Sequence, residues 1–265
     1  MPLKLEIVNK KSRGGSHSAP ILFVHGAWHG AWCWENFGDY FSARGYECYA
    51  LSLRGHGRST SNKSLKFTRI DDYVDDVKQV VNIINKDWGS KPILVGHSMG
   101  GLVVQKYLES DHEIPKAILL AGVPPHGIWK STLRIARRLP FPFLWANITL
   151  SLLPLVKTKK RIHKAFFSDD TDQETLHKYL LCMQDESYLA LLDMLIFRLP
   201  SPKNVQTPML ILGARQDRIF SPDEIVSTAK AYGTNAYIFE HMAHDMMLEK
   251  NWKSVADYII EKIQN

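Results

Sequence analysis

The sequence has few of the features that mark secreted or metal-binding proteins. It has three cysteines, Cys33, Cys48 and Cys182, whose spacing fits no zinc site and leaves at least one thiol unpaired. Its 11 histidines include no HExxH pair, so neither a metal nor another cofactor is expected. The N-terminal residues, MPLKLEIVNKKSRGG, lack the apolar core of a signal peptide. We therefore expect a cytoplasmic protein with reduced, buried thiols.

Uninterrupted apolar sequence is also scarce. Residues 139–156 carry no charge, but they include Pro140, Pro142 and Pro154 together with several polar side chains. A helix that crosses a lipid bilayer must satisfy its backbone hydrogen bonds internally, and three prolines work against that requirement. We expect this stretch to form a buried or interfacial part of a cap.

Acidic residues are missing from residues 114–168, although the net charge of the whole chain is only +6. One interpretation is a cap that contacts an anionic membrane or receives an anionic lipid. The other is a solvated basic face above an apolar pocket, and the sequence leaves both open. No nucleic-acid-binding motif accompanies the charge. The basic residues of the span are Lys116, Lys130, Arg134, Arg137, Arg138, Lys157, Lys159, Lys160, Arg161 and Lys164.

Short apolar runs alternate with helical patterns along most of the chain. Apolar runs without strict alternation are typical of strands covered on both faces, so we predict an α/β fold with a mostly parallel central sheet flanked by helices. The alternation stops between residues 123 and 202, which predicts an inserted helical cap. Residues 1–122 and 203–265 would form the core of the same domain. The predicted strands are 3–8, 21–25, 46–51, 93–95, 117–120, 209–212 and 237–239; the clearest helix is 69–85.

Residues 92–102, PILVGHSMGGL, combine an apolar strand, a tight turn and the start of a helix. The turn has the form G-x-S-x-G, in which small residues two positions before and after the serine permit a sharp bend. Gly96 and Gly100 meet that need, and Gly101 allows the helix to pack closely. The turn lifts a hydroxyl above the sheet edge, so Ser98 is the predicted nucleophile.

A serine hydroxyl is a weak nucleophile and requires a base oriented by an acid. Asp217 follows the predicted strand 209–212, and His244 lies in the loop after the last strand. Their order along the chain is the one expected for a strand–turn–helix nucleophile. Asp223 is the alternative acid and His241 the alternative base. We predict Ser98, His244 and Asp217 as the catalytic residues.

The negative charge that develops during attack on a carbonyl needs two N–H donors. Met99 follows the nucleophile and would supply one. Ala27, in the HGAW segment after the strand 21–25, would supply the other. We assign Trp28 and His29 of the same segment to the wall of the substrate pocket.

Five segments of the chain resemble the α/β-hydrolase superfamily: HGAWHGAWCW, LRGHGRS, GHSMGG, LGARQD and MAHDMMLE. The first is most similar to the branch of plant methylesterases and hydroxynitrile lyases, with bacterial carboxylesterase and lysophospholipase-like relatives. The resemblance spans about residues 3–263 apart from the cap. It implies an α/β-hydrolase fold, the same triad and oxyanion donors, and no cofactor.

Two positions depart from the lyases of that branch. Gly26 stands where they have threonine, and Asp245 stands where they have lysine, which disfavours lyase activity. Ser98 disfavours dehalogenases and epoxide hydrolases, whose nucleophile is an aspartate. We therefore expect a carboxylesterase- or lipase-like serine hydrolase acting on a small-molecule or lipid ester. A hydrolase-fold ligand receptor with little turnover, and a carbon–carbon bond hydrolase or acyltransferase, remain as alternatives.

Overall fold

The computed structural model describes residues 2–14 and 19–264. Its seven strands form one sheet in the order β1-β3-β2-β4-β5-β6-β7. All neighbouring strands are parallel except β1, which pairs antiparallel with β3 at one edge. The strands are β1 Glu6–Lys10, β2 Ile21–Val24, β3 Cys48–Ser52, β4 Ile93–His97, β5 Ala117–Leu120, β6 Met209–Ala214 and β7 Ala236–Phe239.

The predicted mostly parallel sheet is confirmed. The prediction for β5 agrees at both ends, whereas β1 lies two to three residues further along the chain than expected. The position of β1 is set by its pairing with β3, in which Glu6 faces Ser52 and Lys10 faces Cys48. Local alternation does not encode such a partner, so the sequence alone misplaced the ends of this edge strand.

Helices cover both faces of the sheet. Side chains of α1 and α10 pack on one face, and those of α2, α3 and α9 pack on the other. Successive residues of a strand point to opposite faces, so Phe23 and Leu22 belong to different core layers. The helices of the core are α1 Glu35–Ser42, α2 Ile70–Trp88, α3 Met99–Leu108, α9 Pro222–Ala231 and α10 Trp252–Gln264.

Helix boundaries follow local signals in the sequence. Helix α2 ends at Gly89, which has the left-handed conformation with φ of 69° that glycine adopts without strain. Helix α9 begins after Ser221, whose hydroxyl accepts from the backbone N–H of Glu224 while the Glu224 carboxylate accepts from the Ser221 N–H. The sequence Ser-Pro-Asp-Glu is typical of such a reciprocal cap.

Between β5 and β6 the described chain is helical or irregular and contains no strand. We propose residues 123–202 as the helical cap. None of the helices in residues 2–14 and 19–264 is long and apolar enough to cross a membrane. The α-helices of this segment are α4 Trp129–Arg138, α5 Pro140–Thr149, α6 Lys159–Phe166, α7 Gln173–Cys182 and α8 Tyr188–Leu192.

Buried polar contacts join this cap to the core. The Asp193 carboxylate accepts hydrogen bonds from the guanidinium of Arg69 and from the backbone N–H of Ile70. Glu186, also buried, accepts from the hydroxyl of Tyr73 at 2.7 Å and lies 3.1 Å from Nε2 of His56. Removing one partner would leave a buried polar group unsatisfied, so these contacts hold the end of the cap in one position.

Candidate active site

Ser98 lies in the turn between β4 and α3. Its φ of 49° and ψ of −117° are unusual for a residue with a side chain. The surrounding hydrogen bonds hold this conformation: the Ser98 N–H donates to the carbonyl of Leu120, and its own carbonyl accepts from the N–H groups of Gly101 and Val123. Strain retained in this way is typical of functional turns.

Three glycines make the turn possible because other backbone atoms approach them closely. A Cβ on Gly96 would lie 2.6 Å from the carbonyl oxygen of Gly100, and one on Gly100 would collide with the carbonyls of the β2 strand end. A Cβ on Gly101 would lie 2.9 Å from Cα of Gly122. The roles predicted for these glycines are therefore matched by the packing around each of them.

Asp217 and His244 meet through the loops that follow β6 and β7. Oδ2 of Asp217 accepts a hydrogen bond from Nδ1 of His244 at 2.8 Å. Oδ1 of Asp217 accepts from the backbone N–H groups of Ile219 and Phe220 at 2.7 and 3.0 Å. The aspartate thus orders its own loop and orients the histidine, because its two oxygens serve different partners.

The alternative acid and base do not take part in this contact. Asp223 is exposed in the first turn of α9, and His241 is exposed at the start of the loop that follows β7. Asp217 and His244 are both buried. Of the four residues considered, the structure brings only this pair together.

The electrostatic surroundings of His244 favour its charged form. Burial lowers the pKa of the imidazole, but the negative charge and hydrogen bond of Asp217, with a further contribution from Asp245, outweigh burial. The net result is a pKa above the ordinary value of 6.5. His244 therefore binds a proton more strongly than a free imidazole does.

A narrow cavity of about 60 Å³ contains Ser98 and His244 in its wall. Ala27, Trp28 and Met99, all predicted for this site, line it as well. The rest of the lining is mostly apolar and comes largely from the cap. Apolar members of the lining include Ile128, Ile135, Phe143, Ala146, Leu152, Leu155, Leu191 and Met194.

The loop after β2 bends at a residue with a side chain. A glycine directly after a strand often provides a sharp bend, but the left-handed residue of this loop is Trp28, with φ of 66°. Gly26 is required for a different reason: a Cβ there would lie 2.8 Å from Nδ1 of His97 and 2.9 Å from Cβ of Ser98. The indole N–H of Trp28 donates to the carbonyl of Leu152 in the cap, so Trp28 links cap and core.

The structure places His29 away from the predicted pocket wall, since it is buried and is not among the residues lining the cavity. Its Nδ1 lies 2.7 Å from the carbonyl oxygen of Ala27, and its Nε2 lies 3.1 Å from Oδ2 of Asp245. The charge and hydrogen bond of His29 overcome the effect of burial and lower the pKa of Asp245. Both partners of the imidazole are hydrogen-bond acceptors.

This buried ion pair was missed at the level of sequence. From the sequence, Asp245 was considered only because related lyases have a lysine at this position. In the structure its side chain is fully buried. His97 adds a neutral contact: burial lowers its pKa to about 3, and its Nε2–H donates to the carbonyl of His244 at 3.1 Å. The network ties the loop carrying Ala27 to the loop carrying His244.

Among the described residues, His97, His244 and Asp245 form a group that could hold a metal ion, with one ligand atom of each within 4.8 Å of the others. One potential ligand atom of each residue is already hydrogen-bonded. Nδ1 of His244 binds Asp217, and Oδ2 of Asp245 binds His29. We interpret the group as part of the hydrogen-bonded network around His244.

Comparison with known proteins relates the chain to hydrolases. The family model Hydrolase_4, described as serine aminopeptidase, S33, matches residues 15–251. Methylesterase 2 of Arabidopsis thaliana is 36% identical over 82 residues, which cover 31% of this chain and 30% of that protein. The bifunctional esterase/perhydrolase DCH of Acinetobacter calcoaceticus is 33% identical over 114 residues, covering 42% and 40% respectively. The matched parts span less than half the length of these curated relatives.

Solved structures show the same fold over the whole chain. The esterase EaEST from Exiguobacterium antarcticum superimposes with a TM-score of 0.77 at 16% identity, covering 99% of this chain and 96% of that chain. Identity at this level supports the fold alone, and the family model supplies the relationship in sequence. Since that model spans most of the residues, the protein belongs to the α/β-hydrolase family described as serine aminopeptidase, S33.

Proposed function

We propose that the protein is a carboxylic ester hydrolase that uses Ser98, His244 and Asp217. The observation that carries the proposal is the buried 2.8 Å contact between Asp217 and His244, with His244 in the same cavity wall as Ser98 on its strained turn. A nucleophile, a base and an orienting acid are the three groups that acyl transfer requires. The relatives named as esterases support the same reaction class.

In the proposed mechanism, the Ser98 hydroxyl oxygen attacks the ester carbonyl while Nε2 of His244 accepts the hydroxyl proton. Asp217 stabilises the resulting imidazolium, and the N–H groups of Ala27 and Met99 donate to the developing oxyanion. The carbon–oxygen bond to the alcohol then breaks, and His244 returns the proton to the departing alcohol. A water molecule, activated by His244, hydrolyses the acyl-enzyme and regenerates Ser98.

We propose esters of apolar acyl groups as the substrate class. The cavity wall is dominated by aliphatic and aromatic side chains, which would favour a hydrocarbon chain over a charged group. The cavity volume of about 60 Å³ is below the roughly 300 Å³ of the smaller known ligand sites. An ester would therefore enter only when cap side chains such as Phe143 and Leu155 move aside.

The test is a series of p-nitrophenyl esters from acetyl to palmitoyl, combined with a serine-reactive phosphonate. We expect turnover of at least part of the series and a single phosphonate adduct on the peptide that contains Ser98. The acyl length with the highest kcat/KM would define the substrate class. If neither turnover nor an adduct is found, the hydrolase proposal is wrong and a ligand receptor is favoured. An adduct without ester turnover would favour carbon–carbon bond hydrolysis or acyl transfer.

The pH dependence of the reaction follows from the raised pKa of His244. Neutral His244 is the active base, so kcat/KM should rise with pH through an apparent pKa above 6.5. The matched control is His241→Gln, which removes the exposed histidine of the same loop and should leave the profile unchanged. A limb with an apparent pKa below 6.5, or one that moves in His241→Gln, would contradict the assignment of His244.

A further inference from the structure

Helix α5 exposes an apolar stripe on the outside of the cap. Phe141, Leu144, Trp145 and Ile148 are spaced i, i+3, i+4 and i+7, so they share one face of the helix. All four are exposed, Phe141 by 83% and Ile148 by 64% of their surface. Exposed apolar side chains are common singly, but a contiguous group of this kind marks a surface that binds something.

The opposite face of the same helix lines the cavity. Phe143, Ala146 and Asn147 of α5 contribute to the cavity wall together with Ser98 and His244. Helix α5 is thus apolar towards the catalytic residues and apolar towards the outside. A helix that only covered a pocket in water would be expected to carry polar side chains on its outer face.

Helix α4, which contacts α5, also exposes apolar side chains. Trp129 and Leu133, one helical turn apart, are exposed by 53% and 43%. Exposed cations lie on the same short helix at Lys130 and Arg137. The Nζ of Lys66, from the core, donates to the carbonyl of Thr149 at the end of α5.

Residues 114–168 contain no acidic residue, and two acidic side chains from neighbouring parts of the chain are engaged by α4 and by the residues after α5. Glu224 pairs with Arg134 of α4 at 2.7 Å, and Asp185 accepts from the backbone N–H groups of Leu152 and Leu153. The surface therefore combines exposed aromatic and aliphatic groups with unbalanced positive charge. Two copies of the chain meeting through it would bring like charges together, which disfavours self-association.

We propose that the outer faces of α4 and α5 form a docking surface for an anionic lipid membrane. Apolar and tryptophan side chains would enter the interface between headgroups and acyl chains, while lysine and arginine would contact anionic headgroups. An anionic lipid surface satisfies both the apolar and the charged part of the surface at once. Docking goes beyond the proposed ester hydrolysis and does not rest on it, because it can be measured in a protein without Ser98.

The test is co-sedimentation of the full chain, as wild type and as Ser98→Ala, with vesicles of phosphatidylcholine alone or mixed with phosphatidylglycerol. We expect both proteins to bind the mixed vesicles at least about tenfold more strongly than the neutral ones. Phe141→Gln/Trp145→Gln and Lys130→Glu/Arg137→Glu should each weaken binding to mixed vesicles about tenfold or more. None of the four positions lines the cavity.

Matched controls place equivalent changes on other helices. Lys78→Glu/Lys86→Glu on α2 alters the net charge by the same amount. Ile83→Gln/Val226→Gln removes exposed apolar groups from α2 and α9. Both control variants should bind the mixed vesicles within about twofold of wild type. An unchanged Tm in every variant would show that the fold is intact. Three results would each overturn the proposal. The protein could bind both vesicle types equally, the α4 and α5 variants could bind as strongly as wild type, or the chain could change its oligomeric mass and bind no vesicles.

Discussion

Replacing Ser98 by alanine is expected to lower kcat/KM for p-nitrophenyl esters by about three orders of magnitude or more. Alanine keeps the small side chain that the strained turn accommodates but removes the oxygen that would form the acyl-enzyme. Oxyanion donors and the base would remain, so a residual rate above that of water is expected. Steady-state kinetics on purified protein, with Tm as a check on folding, would measure the loss.

Ser131 provides a matched control because it is a second serine in the wall of the same cavity. Its hydroxyl donates to the carbonyl of Ile128 at 3.2 Å, a contact within its own helix end. Ser131→Ala should therefore change kcat/KM only a few-fold. Retention of the rate within about tenfold in Ser98→Ala would show that Ser98 is not the nucleophile, and an equal loss in Ser131→Ala would show that the effect is not specific to Ser98.

The parts of the site that sequence predicted are those encoded within a few residues. The turn around Ser98 depends on Gly96 and Gly100, whose positions follow from the local bend. The places of Asp217 and His244 follow from chain order, because loops after parallel strands open at one edge of the sheet. The patterns of β2, β4 and β5 were strong because these strands are buried on both faces.

The parts that sequence missed depend on contacts between distant segments. His29 and Asp245 are 216 positions apart, and Glu186 reaches His56 from the cap. No local sequence pattern indicates such a pair, since a histidine or an acidic residue in a loop is usually exposed to solvent. The cap was difficult for another reason: α5 is apolar on both its inner and outer faces, so its helical periodicity is weak.

Removing the carboxylate of Asp245 is expected to destabilise the protein by about 3–5 kcal/mol at pH 7, because Asp245→Ala would break a buried pair and leave His29 without its partner. Asp245 is fully buried, so water does not replace the lost contact. Urea unfolding measures the change. Asp257→Ala, which removes an exposed acid paired with Arg44 at 3.9 Å, is the matched control and should change stability little.

The effect of Asp245 should depend on pH in a defined direction. Its pKa is lowered from 3.8 in the folded protein, so the ionised carboxylate contributes stability above that value. The contribution is lost as pH falls through the lower folded pKa. The difference between wild type and Asp245→Ala should therefore shrink as pH falls below 3.8.

A double-mutant cycle separates the ion pair from simple loss of packing. If His29 and Asp245 are paired, His29→Phe/Asp245→Leu should cost less than the sum of the two single changes, because no unpaired charge remains buried. The double variant should also lose ester turnover, since His29 holds the carbonyl of Ala27 and thereby orients the loop that carries an oxyanion donor. Additive stability changes would show that the pair does not stabilise the fold, and full activity in the double variant would show that it does not position the oxyanion loop.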